Sequence, residues 1–173
     1  MLHFRKGQFV IHPRYGAGKV VNLESLLVVR ERKRCYVVDP LLLDILIKVP
    51  CASVERVGLR LPLPYEEIED MLKFFREPFA CDESFLRTSK ISQEISLADP
   101  RKTLMVIKSL FYEKIYRQKE GGSLSLSKRG LYSSAISLFA SEIVASRGCT
   151  LDEACTIVRK SLVFRPVKLS EVQ

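Results

Sequence analysis

The hydrophobic pattern changes period once along the chain. Up to about residue 57 apolar positions come in short extended runs broken by turn residues. Phe4-Arg5-Lys6-Gly7-Gln8-Phe9-Val10-Ile11 leads into His12-Pro13-Arg14-Tyr15-Gly16-Ala17-Gly18-Lys19-Val20-Val21, which predicts a first hairpin. Leu26–Arg30 then predicts a third strand, Arg30-Glu31-Arg32-Lys33-Arg34 a charged turn, and Cys35–Val38 a fourth strand. After Asp39-Pro40, Leu43–Val49 predicts a fifth, closed by Pro50 because proline cannot donate to a ladder. Five short strands in this space describe a small β-barrel of the SH3-like or Tudor-like kind, a fold that binds partners. The Arg30–Arg34 turn reads either as a nucleic-acid patch or, more simply, as a solvated hairpin tip.

At Gly58-Leu59-Arg60-Leu61-Pro62-Leu63-Pro64 alternation gives way to a helical period, and the domain boundary is placed here. Tyr65–Arg76 sets Ile68, Met71, Leu72 and Phe75 on one face, ending before Pro78. A second helix is expected over Glu83–Leu97, with Phe85, Ile91 and Ile95 apolar. Asp99-Pro100 gives a cap and a proline at the first helical position for a helix from 100 to about 120, ended by Gly121-Gly122. Ser127 is expected to cap a further helix to Arg147, and Thr150-x-x-Glu153 is a capping box opening a last one through about Leu162. The fold class is α+β in two domains: a barrel over 1–60, a compact all-α bundle over 61–163, and a flexible tail over 164–173.

Charge sharpens this division. The chain of 173 residues carries +8 overall, with residues 1–60 and 84–129 strongly basic, 61–83 acidic and 130–173 near neutral. Two basic surfaces separated by an acidic one suit a protein that meets different partners at its two ends. The 5 cysteines are widely spaced, with no Cys-x-x-Cys pair, and read as reduced thiols. The histidines, His3 and His12, are not at metal-ligand spacing from other ligands. No charged-then-apolar leader opens the chain, and no apolar run approaches the roughly 18 residues of a membrane span, so a cytoplasmic protein without a membrane partner is expected. Gly16-Ala17-Gly18-Lys19 lacks the Ser or Thr and the following helix of a phosphate-binding loop, and no nucleophile elbow or zinc-protease motif is present. Glu66, Glu67, Glu69 and Asp70 complement a helix dipole rather than form an acid/base pair. An enzyme is not expected, nor a cofactor.

The run Phe4-x-x-Gly7-x-x-Val10-x-x-Pro13-x-x-Gly16-x-Gly18-x-Val20, the strand end Lys48-Val49-Pro50, the junction Val57-Gly58-Leu59-Arg60 and the helical second half together resemble the CarD/CdnL family of bacterial transcription regulators. The resemblance implies a Tudor-like domain that docks on the β subunit of RNA polymerase, through Lys48 with Val49 and Pro50. It also implies a helical domain that contacts promoter DNA, in the minor groove and along the backbone, at the upstream edge of the transcription bubble and stabilises the open complex. A monomer is expected. Two departures stand out. The family's other basic polymerase contact falls on Leu26, and its minor-groove tryptophan falls on Phe85 in a chain without tryptophan. Phe85 reads either as an apolar wedge or as a buried aromatic of an amphipathic helix. Arg87 and Lys90 keep the family's basic spacing, and Arg101 and Lys102 are placed with them as phosphate contacts. The competing reading is a ribosome- or RNA-associated protein with a KOW-like barrel.

Overall fold

In the computed structural model, residues 3–28, 31–79 and 99–165 are described. The expected helix over Glu83–Leu97, with Phe85, Arg87 and Lys90, and the tail from Pro166 lie outside the described residues. Four strands, β1 (Phe9–His12), β2 (Gly16–Val28), β3 (Glu31–Pro40) and β4 (Ile47–Pro50), form one antiparallel sheet in the order β1-β2-β3-β4. Five strands were expected. The second and third merge into β2, because a bulge between Val20 and Asn22 absorbs one residue without ending the ladder.

The charged run is not a turn. Glu31–Arg34 belong to β3, where Leu26 faces Lys33, Leu27 faces Arg32 and Val28 faces Glu31. Pairing this far leaves only two residues between the strands, so more main-chain groups find partners than a five-residue turn would allow. Leu43–Leu46 is loop rather than strand, with Leu43, Ile45 and Leu46 exposed, because Cys35–Val38 offer a ladder only to Ile47–Pro50.

Val10, Val20, Tyr36, Val38, Val49, Val54 and Leu59 form the sheet's core with Phe4, whose ring meets Tyr36 edge-on at 5.4 Å. A 3-10 turn (Cys51–Ser53) and helix α1 (Val54–Val57) follow β4. Gly58, at φ +77°, then turns the chain back so that Arg60 bridges Ile11 on the outer edge of β1, with N···O distances of 2.8 and 3.1 Å.

The remaining described helices are α2 (Tyr65–Phe74), α3 (Pro100–Lys119), α4 (Leu126–Arg147) and α5 (Leu151–Ser161). Their caps mostly fall where the sequence placed them: Asp99 accepts from Arg101 N, and Thr150 and Glu153 form the full capping box. Helix α4 is capped by Ser125 instead of Ser127; burial of Leu124 immediately before it fixes where the chain turns into the helix. Ile68, Met71 and Phe75 of α2 and its end meet Leu104, Ile107 and Leu110 of α3, Ile136, Phe139 and Ile143 of α4 and Val158 of α5 in a second core. Phe164, expected to begin the tail, is packed, its ring 4.8 Å from that of Tyr112, and the Tyr112 hydroxyl accepts from the N–H of exposed Arg165 at 2.7 Å.

Lys108 sits inside this second core, with no exposed surface. Its Nζ donates to the Phe74 carbonyl at the C-terminus of α2 and lies 4.1 Å from the Phe74 ring centre and 5.2 Å from that of Phe79. Burial lowers its pKa, partly opposed by Glu77. The folded protein therefore releases this proton before the unfolded chain does, and stability should rise as pH climbs from the lowered pKa toward the ordinary 10.5. Lys108→Met should abolish that rise in thermal melts across the alkaline range; an unchanged slope would show that Lys108 is not its source.

Candidate interaction surfaces

The pleat of β4 decides what Lys48-Val49-Pro50 can present. Val49, at 3% exposure, points into the sheet core, so its neighbour Lys48 projects from the opposite face. There its Nζ lies 3.3 Å from a Glu24 carboxylate oxygen, reaching across β3. Pro50 ends the strand half-buried opposite Cys35. Strand β4 is the last in the sheet, leaving its outer main-chain edge without a strand partner among the described residues.

At the other proposed surface, Arg101 and Lys102 occupy the first turn of α3 behind the Asp99 cap, with Arg101 exposed. The dipole disfavours cations at a helix start by a few tenths of a kcal/mol, so nothing in the helix itself calls for them. Arg101 also borders an apolar groove of about 300 Å³ between α2 and α3, lined by Met71, Phe74, Leu104 and Met105 with Glu67 and Asp70 at its rim.

The sequence reading missed a second basic cluster. Lys114 and Arg117 towards the end of α3 come beside Lys128 and Arg129 at the start of α4, since the Gly121-Gly122 turn reverses the chain. Buried Glu113 organises it, accepting from Arg117 Nε at 2.7 Å and from Lys128 Nζ at 2.8 Å. Lys114, Arg129, Gln118 and Tyr132 line a groove of about 270 Å³, and burial pushes the Tyr132 hydroxyl up to about 12, partly opposed by Arg159. The legible signal was the basic spacing on either side of a double glycine.

Sheet and helices meet at polar contacts. Arg60 gives a two-pronged ion pair to Glu142 of α4, at 2.6 and 2.8 Å, and the same carboxylate accepts from Leu63 N at 3.1 Å. Ala17 N donates to Ser141 Oγ at 2.9 Å, and a Cβ on neighbouring Gly16 would sit only 2.5 Å from that oxygen. Arg147 at the end of α4 bonds both Tyr65 and Glu69, tying α2 to the same helix.

His12 Nδ1 accepts from Arg14 N at 3.1 Å, and burial, aided by Arg14, lowers its pKa, so the ring is held neutral. Burial raises the Cys35 and Cys155 thiols, the opposite of what a nucleophile needs. Cys35, Cys51, Cys149 and Cys155 are free thiols. Among the described residues no group of His, Cys, Asp and Glu could hold a metal ion, and no helix is long and apolar enough to cross a membrane.

Residues 4–61, the sheet together with the turn back to β1, match the family model described as the CarD-like/TRCF RID domain. The matched segment thus takes in all four strands, the outward Lys48 on β4 and the Ile11–Arg60 bridge near its end, and it is over this segment that the chain is similar to the CarD-like/TRCF RID domain.

Proposed function

We propose that this protein is a transcription regulator that binds the RNA polymerase β subunit through an SH3/Tudor-like barrel formed by residues 1–60 and contacts promoter DNA at the upstream edge of the transcription bubble through residues 61–163, stabilising the open complex. The observation that carries this reading is the CarD-like/TRCF RID match over the sheet. The outer edge of β4, which has no strand partner among the described residues, supports it, since strand addition supplies main-chain hydrogen bonds that depend little on side-chain identity. Phe85, Arg87 and Lys90, with Arg101 and Lys102, form the proposed DNA-contacting set, and the Lys114–Arg129 cluster adds a second place for phosphates.

Magnitudes set the division of labour. Opening a base step costs a few kcal/mol, whereas stacking one aromatic on a base returns about 1–3 kcal/mol. A lone Phe85 wedge does not distort duplex DNA. Tethered to a polymerase that already parts the strands, it meets DNA at an effective concentration near millimolar. The contacts among Arg60, Glu142, Ala17 and Ser141 support such a tether by holding the sheet against α4.

The test compares open-complex lifetime with wild type, Lys48→Glu and Phe85→Ala. Lys48→Glu should reduce the effect through weakened polymerase binding, reversible by raising the protein concentration, with an unchanged melting temperature. Phe85→Ala should shorten the lifetime while polymerase binding persists. Capture of ribosomal proteins in place of the β subunit by the full chain would overturn the reading.

A further inference from the structure

The far half of the β2–β3 ribbon carries the charged run Glu31-Arg32-Lys33-Arg34. Strand β4 covers β3 only from Cys35 to Val38, so Glu31–Arg34 have no strand on their outer side among the described residues. In this stretch Leu26 lies directly opposite Lys33. Residues so opposed send their side chains to the same face, with Cβ atoms about 4.5–5.5 Å apart.

The pleat then puts Lys33 on the face that carries Lys48. Alternation along β3 groups Lys33, Cys35 and Val37, and Lys48 lies directly opposite Val37. The Lys48–Glu24 ion pair fixes the assignment independently, because Glu24 lies opposite Cys35. The charges of Lys48, Glu24 and Lys33 all reach the Cys35 thiol. Lys33 has its own tether, Glu31, at 3.2 Å, as Lys48 has Glu24 at 3.3 Å. Both lysine side chains remain open, at 42% and 46% exposure. Each ammonium is held over the sheet while keeping room for a second carboxylate, which reduces the ordering that binding would otherwise require.

We propose that Lys33 is the second basic contact of this face and supplies, from the neighbouring strand, the positive charge that Leu26 does not. The inference rests on the polymerase-binding reading. It makes the partner surface an acidic one, with carboxylates placed to meet two lysines four residues apart along the ladder, about 13–14 Å, and one strand across, about 5 Å. Arg32 and Arg34 alternate to the other face and are not part of the pair.

Affinity of the full-length protein for the polymerase β subunit tests this with Lys48→Glu, Lys33→Glu, Arg32→Glu and the exchange Leu26→Lys/Lys33→Leu. Lys33→Glu should weaken binding about tenfold and lower its salt dependence, as Lys48→Glu does, with the melting temperature unchanged. The exchange should bind within about threefold of wild type, because it moves the charge across one strand pair and keeps it on the face. Arg32→Glu should change little. Weakening by Lys48→Glu alone would overturn the role of Lys33 and leave the polymerase reading standing. Weakening by neither lysine variant would overturn the role of both lysines, and no measurable affinity of the wild type for the β subunit would overturn the polymerase reading itself. An exchange as weak as Lys33→Glu, or an equal loss with Arg32→Glu, would also overturn the inference, the latter by showing a diffuse basic surface.

Discussion

Replacing Glu142 by alanine is expected to destabilise the protein by about 2–3 kcal/mol, the largest effect of any single polar change here. The carboxylate is 5% exposed and holds three hydrogen bonds, two from Arg60 and one from Leu63 N. Removing it leaves a guanidinium and a main-chain N–H facing a cavity. Breaking a fully buried pair costs about 3–5 kcal/mol; the lower figure applies because Arg60 keeps 30% of its side chain in water. Denaturant unfolding measures the loss. Arg60 also bridges Ile11, so the variant should loosen the sheet against α4 and shorten open-complex lifetime while β-subunit affinity stays near wild type. A loss below about 0.5 kcal/mol would mean that the pair behaves as an exposed one.

Gly16→Ala should cost about as much, by a different route. Gly16 sits at φ +73°, where an L side chain costs about 1–2 kcal/mol. Its added Cβ would lie 2.5 Å from Ser141 Oγ and 3.2 Å from Leu138 Cδ2, and overpacking of this kind costs about 1–3 kcal/mol more. Ser141 cannot simply turn away, since its hydroxyl accepts from Ala17 N and donates to the Leu138 carbonyl. The comparison Gly121→Ala isolates the strain: Gly121 has φ +77° with nothing within 4 Å of a Cβ, so it should lose only the conformational part. Equal melting temperatures for the two variants would show that the turn does not press on α4.

Local chemistry determined much of this protein. The hairpin glycines, the caps at Asp99 and Thr150, the double glycine after α3 and the shift in hydrophobic period near Gly58 each specify structure through neighbours a few residues away. Those are interactions that a sequence displays directly. The resemblance carried by the first 60 residues was legible for the same reason, and the family match over 4–61 bears it out.

Pairing decided the rest. Whether Arg30–Arg34 was a turn or a strand depended on how far β2 and β3 zip together, and whether Leu43–Leu46 was a strand depended on the length of β3 left to receive it. Hydrophobicity alone could not say, because exposed leucines and strand leucines look alike in sequence. The polar contacts of Arg60 with Glu142 and Ala17 with Ser141 span 82 and 124 residues, beyond any local pattern. The face shared by Lys33 and Lys48 exists only because the β3–β4 register sets Lys48 opposite Val37, four residues along β3 from Lys33. A shift of one residue in that register would send Lys48 to the opposite side of the sheet, and a shift between β2 and β3 would remove Glu24 and Leu26 from the lysines' face.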